Sequence, residues 1–281
     1  MPRIAIVTDS VACIPPDLVK KYNIFVAPVQ IVWDRVTYRD GIDMSVQDFY
    51  KRLRTSKTLP TTTSAIQGEY IQIFEGLRGK VDNVVVITLT GDLGGSYTSA
   101  CNARDLIPGL SVEVIDSRTA MMAQGFVALE AAKVAARGAS IEEVVNAAQT
   151  MLPKVHILWT LDTLEYLRRG GRVSLPQAVL ASWLKVKPII SIVDGKVAFQ
   201  ERTRTRPKAL ERLLDLLAER TAGAGTLHVA VMHGDAAEDA VKLREQVIAR
   251  LKPVELLASE ITPVIGTHTG PGTLGFSFYC E

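Results

Sequence analysis

Short apolar runs alternate with longer segments of helical periodicity through the first half of the chain. RIAIVT (3–8), NVVVITL (83–89) and VEVID (112–116) are compact β-rich runs, and NIFVAPVQIVW (23–33) is a further strand region. Between them lie PPDLVKKYN, SVQDFYKRLRTS, GEYIQIFEGLRG and SYTSACNARDLI, which read as helices. Prolines start the first, Ser45 and Asp48 open the second, and Gly79 closes the third. TAMMAQGFVALEAAKVAARG (119–138) is a long helix that is apolar on most sides. This alternation predicts parallel βα units with both sheet faces covered.

The second half has a different texture. VHILWTL is a strand and DTLEYLRRGG a helix ended by glycines. KPIISIVDGKVAFQE carries Asp194-Gly195 between two β-rich runs, a hairpin signal. RPKALERLLDLLAERTA and AEDAVKLREQVIARL are helices, LHVAVMHGD and VELLASEI are strands, and PVIGTHTGPGTLGFSFY reads as a glycine-rich loop entering a last strand. An antiparallel pair breaks the βα rhythm. The expected class is therefore two-domain α/β: a parallel-sheet α/β/α domain over 1–150, then an α/β domain with a mixed sheet over 151–281.

Composition narrows the function. The 281 residues are 47% hydrophobic, and the formal net charge is only +2. That balance is globular and gives nucleic acid no electrostatic footing. Cys13, Cys101 and Cys280 lie far apart with no metal spacing, and the four histidines form no metal pattern. No cofactor is expected. A reduced cytoplasm is the expected setting, since neither a signal peptide nor an apolar run of membrane length is evident.

Candidate chemistry gathers at strand ends. TDS (8–10), TGD (90–92) and DS (116–117) each follow a strand, where an open parallel sheet forms its ligand crevice. Such residues also cap the helices that follow. TGDLGGS is neither a Walker loop nor a dinucleotide fingerprint, and its glycines suit an anion site or a tight turn. RTRTR (202–206) would put Arg202, Arg204 and Arg206 on one face of a strand, open to solvent, an anion or an acidic partner. Arg168, Arg169 and Arg172 form a second basic group, and His268 stands among glycines and threonines. In PTTTSAIQGEY (60–70), Ser64 and Gln67 have capping-box spacing. The preceding threonines are left either facing water or offering donors to an anion.

In order and spacing these pieces resemble the DegV family of fatty-acid-binding proteins. The segments are IAIVTDS, PTTTSAIQGEY, VVVITLTGDLGGSYTSA, EVIDSRTAMMAQG, LEYLRRGGRVS, LKVKPIISIVDGKV and GTHTGPGTLGFSFY, almost end to end. The resemblance implies a long-chain fatty acid in an apolar tunnel between two domains. It implies a non-enzymatic role in which a separate ATP-dependent fatty acid kinase subunit phosphorylates the bound carboxylate, feeding phospholipid synthesis. Carried over by position, Thr61, Thr62, Thr90, Gly91 and His268 would meet the head group. Arg204 and Arg172 would serve the partner or phosphoryl-transfer site. Two rivals are a small-ketone-binding subunit like the dihydroxyacetone kinases and a lipid-sensing regulatory module. One departure stands out: the family's SSGxSG is Thr90-Gly91-Asp92-Leu93-Gly94-Gly95 here, losing a serine at Gly91 and adding the negative charge of Asp92.

Overall fold

The structure, a computed structural model, describes residues 3–63, 67–173 and 186–281. Ser64, and with it the expected capping box, lies outside the described residues. Strands β1 (Ile4–Asp9) and β2 (Phe25–Ala27) belong to one sheet, while β3 (Gln30–Trp33), β4 (Val36–Arg39) and β5 (Thr61–Thr63) form another. With β6 (Asn83–Thr88) and β7 (Ser111–Asp116), the first sheet is parallel throughout in the order β2-β1-β6-β7. Its central strands β1 and β6 are buried along almost their whole length, as a sheet covered on both faces requires.

A mixed six-stranded sheet is built from β8 (His156–Thr160), β9 (Lys187–Val193), β10 (Lys196–Thr203), β11 (Leu227–Gly234), β12 (Glu255–Glu260) and β13 (Thr273–Cys280). The order is β10-β9-β8-β13-β11-β12, with only β11 and β12 parallel. Asp194 and Gly195 both take positive φ and make the β9–β10 turn that the Asp-Gly pair predicts.

The two larger sheets share one core. Helix Met121–Ala136 lies against β1 and β6 of the parallel sheet and β8 and β13 of the mixed one. Buried positions run all round it, because Ala, Met and Gly offer small or pliant side chains on every face. Val7, Val86, Phe126, Trp159, Met232 and Tyr279 fall in a single apolar cluster.

Three expectations need correction. Pro28 divides the 23–33 region, so β2 and β3 enter different sheets. The stretch before β13 is not a loop: Pro263–Thr269 is a short helix, entered from extended Thr262 and closed at Gly270. Its Thr, Val and Ile residues and Gly266 hide the helical signal, and packing of the Phe49 and Tyr50 rings against Gly266 supplies what propensity lacks. The arginines of 202–206 do not share a strand face. β10 stops at Thr203, and Arg206 opens helix Arg206–Thr221 and turns in to bond Asp162, Asp239 and the Gly272 carbonyl.

Candidate functional site: a slender apolar cavity with a cationic end

A cavity lies where all three sheets meet. Val11 and Leu89 approach from the ends of β1 and β6, Ala120 and Met121 from the start of the 121–136 helix, and Trp159, Ile192 and Val197 from the mixed sheet. Val264 and Ile265 of the 263–269 helix complete the apolar wall. The unfilled space between these walls, mouth included, is about 690 Å3, yet only about 80 Å3 of it admits the centre of a water-sized sphere. The cavity is therefore slender, and its walls are mostly hydrocarbon, as lipid and small-molecule sites are.

Polar side chains in the wall include Thr62, Ser96, Arg172 and His268, of which Thr62, Arg172 and His268 stand together. Thr62 Oγ1 and His268 Nε2 are 2.8 Å apart, joining residues 206 positions apart in the chain. Thr62 pairs with buried Ile31 and is half-buried. Both Thr62 and the exposed Thr63 line the cavity, whereas Thr61, also exposed, does not. The Gly170 backbone packs so closely on the His268 ring that a Cβ there would collide with Nδ1. Burial, aided by the nearby Arg172 charge, lowers the His268 pKa to about 4. The ring is neutral at pH 7.

Arg172 donates to the Gly170 carbonyl (Nη1, 2.6 Å) and the Leu93 carbonyl (Nε, 3.5 Å). It has no carboxylate partner among the described residues. The sequence grouped it with Arg204 at a partner site, but it stands in this cavity wall beside His268. Arg204 does not line the cavity and is exposed just beyond β10.

Thr90 and Gly91 also lie outside the cavity wall. Gly91 gives its N–H to Asp116 Oδ2 at 3.1 Å, and fully buried Thr90 accepts from the Asp92 N–H at 3.4 Å. Asp92 is turned away and pairs with Arg118 at 3.0 Å. The loop hydrogen-bonds to itself and to β7, so the N–H groups of Gly91, Asp92 and Leu93 are already engaged. Ser96 was not singled out from sequence. It is the first residue of helix Ser96–Asp105, buried in the wall, and the available signal was its place at the end of TGDLGGS.

Two buried carboxylates hold the walls in place. Asp9 accepts from the N–H groups of Val11 (3.2 Å) and Leu89 (2.8 Å) and from Gln124 Nε2 (3.0 Å). It therefore fixes two wall residues and a helix, and burial raises its pKa against those bonds. Asp9→Ala should cost about 3 kcal/mol of folding stability, because several buried donors lose their acceptor. Urea unfolding checks this through the midpoint. Asp40 accepts from the Val264 N–H at 3.2 Å and so ties down the cavity-lining 263–269 helix.

These features define a three-sheet α/β protein whose slender apolar cavity is lined by a histidine and an arginine with no carboxylate partner among the described residues. The chain belongs to the DegV family: the family model described as "Uncharacterised protein, DegV family" matches residues 3–281. A DegV domain-containing protein of Caldanaerobacter subterraneus subsp. tengcongensis is 37% identical over 278 residues, covering 99% of each chain. The crystal structure of DegV from Bacillus subtilis, described as a fatty acid binding protein, superposes with a TM-score of 0.92 at 35% identity over 100% of both chains. A DegV family protein from Thermus thermophilus, whose structure describes fatty acid binding, gives a TM-score of 0.92 at 30% identity, covering 99% of this chain and 100% of its own.

Proposed function

We propose that this protein binds a long-chain fatty acid, with the acyl chain in the cavity and the carboxylate at Arg172, His268 and Thr62. The observation that carries this reading is that Arg172, with no carboxylate partner among the described residues, stands beside His268 in the wall of a hydrocarbon-lined cavity. A guanidinium with no carboxylate partner among the described residues, beside a neutral imidazole, selects an anion, and slender apolar walls select a polymethylene chain. A C16 acyl chain has about 14 methylenes, each worth roughly 0.8 kcal/mol on burial, before ordering costs. The same walls disfavour a small polar ketone. The fatty-acid-binding relatives support the ligand class.

The head-group requirement is testable by calorimetry. Palmitate should bind at least about tenfold more tightly than 1-hexadecanol, because charge-assisted hydrogen bonds contribute about 1.5–3 kcal/mol. Equal affinities would overturn the placement of the carboxylate at Arg172.

In the fuller reading, the 1–150 and 151–281 domains hold the lipid between them and a separate ATP-dependent kinase phosphorylates the carboxylate. The family resemblance supports it, as does exposed Arg204, which has no partner among the described residues and is open to a phosphate-bearing or acidic one. ATP and a soluble extract of the source organism, added to palmitate-loaded protein with hydroxylamine, should yield palmitoyl hydroxamate. No hydroxamate would remove the kinase step and leave the binding reading standing.

A further inference from the structure

The residue that breaks the family pattern, Asp92, has a partner outside the cavity wall. Arg118 Nη1 meets Asp92 Oδ2 at 3.0 Å, and Arg118 Nη2 donates to the Asp194 carbonyl at 2.5 Å. Arg118 follows β7 of the parallel sheet, whereas Asp194 belongs to the β9–β10 turn of the mixed one. One guanidinium thus fastens the 90–95 loop to that turn. The fit is close at Gly195, which has φ +81° and where a Cβ would stand 2.5 Å from Thr90 Oγ1 and 2.7 Å from Asp92 Oδ2. Only glycine lets the turn sit down on the loop.

The two fastened pieces are also cavity walls. Leu93 and Gly94 come directly after Asp92, and Ile192 and Val197 flank Asp194-Gly195 within the same hairpin. The seam between the two sheets therefore runs over the cavity at the clasp. The clasp itself is partly solvated, with side-chain exposures of 50% for Arg118 and 30% for Asp92. Such a pair is weak and salt-sensitive, which suits a contact that opens and closes rather than one that holds the fold.

The geometry points to the Asp92–Arg118–Asp194 clasp as a gate: its opening parts the hairpin from the 90–95 loop and lets the lipid in and out. This rests on the fatty-acid reading of the cavity. Asp92 and Arg118 do not touch the ligand; they position the wall that confines it. A gate has a kinetic signature that a wall defect lacks. Freeing it speeds entry and exit together and leaves affinity nearly unchanged.

The test is stopped-flow fluorescence with cis-parinaric acid, an unlabelled fluorescent C18 acid, measured for uptake and for release to excess albumin. Arg118→Gln, which breaks both contacts, should raise both rates about three- to tenfold, and Asp92→Asn about two- to fivefold, with Kd moving less than about twofold. Added salt should accelerate the wild type toward the variants and barely affect Arg118→Gln. Hydrogen exchange should quicken over residues 187–203 in both variants without a matching fall in Tm. Wild-type rates in both variants, or a change confined to release, would overturn the gate while parinaric acid still binds. A wild-type protein that takes up no parinaric acid would overturn the lipid reading itself.

Discussion

Arg172→Ala should weaken palmitate binding by roughly 10- to 100-fold while changing folding stability by less than about 1 kcal/mol. The binding loss is that of charge-assisted hydrogen bonds to a carboxylate, about 1.5–3 kcal/mol. The stability change is small because, among the described residues, the side chain gives up only bonds to the carbonyls of Gly170 and Leu93. Losing Arg172 also removes a charge that disfavours protonation of His268. The imidazole of Arg172→Ala should therefore protonate more readily and recover part of the anion affinity as pH falls. Affinity for palmitate at pH 7.5 and 5.5, with urea midpoints alongside, checks both halves. An affinity equal to wild type would mean that the carboxylate lies elsewhere.

The second large effect is a pair of opposed pH dependences in the unliganded protein. Burial raises the Asp40 carboxyl pKa to about 6, with the Ser10 and Thr262 hydroxyls and the Val264 N–H acting against it. Above pH 6 the folded protein carries this carboxylate at a cost. As pH falls from 6 to about 4, the folded state takes up a proton that the unfolded state does not, and stability rises by about 3 kcal/mol. His268 does the reverse. Its folded pKa of about 4 lies below the ordinary 6.5, so the unfolded state takes up the proton first. Stability from this group is complete above pH 6.5 and falls by about 3 kcal/mol as pH drops to 4.

In the wild type these two contributions offset each other between pH 4 and 6. Asp40→Asn keeps an acceptor for the Val264 N–H and uncovers the histidine, so its stability relative to wild type should fall as pH drops. His268→Gln should show the opposite trend, leaving Asp40 and Asp9, whose pKa burial also raises, in command. Urea unfolding at pH 4.5, 5.5 and 7 measures both differences. Curves that stay parallel to wild type would show that neither group titrates with the fold.

Much of the architecture was legible because it rests on local signals. The Val-rich runs at 84–87 are strands buried on both faces, the alanine- and methionine-rich 119–138 stretch is the shared central helix, and Asp194-Gly195 is a hairpin turn. What escaped depends on tertiary packing. In PVIGTHT only Pro263, at the first helical position, hints at a helix, and packing of Phe49 and Tyr50 against Gly266 supplies the rest. Nothing local separates Thr61, which stays out of the cavity wall, from Thr62 and Thr63, which line it. Nor does the sequence show that Gly91 and Thr90 spend their hydrogen bonds within their own loop and on Asp116, or that Asp92 finds Arg118. The family resemblance put Arg172 and Arg204 together at one partner-facing or phosphoryl-transfer site. Only the structure sets one beside His268 and leaves the other exposed.

The most direct measurement is native mass spectrometry of freshly purified wild type and Arg172→Ala, followed by denaturing extraction and mass analysis of what each releases. One long-chain fatty acid per wild-type molecule and a clearly lower occupancy in the variant are expected. An empty wild type that also refuses added palmitate, or a lipid held equally by both proteins, would contradict that expectation.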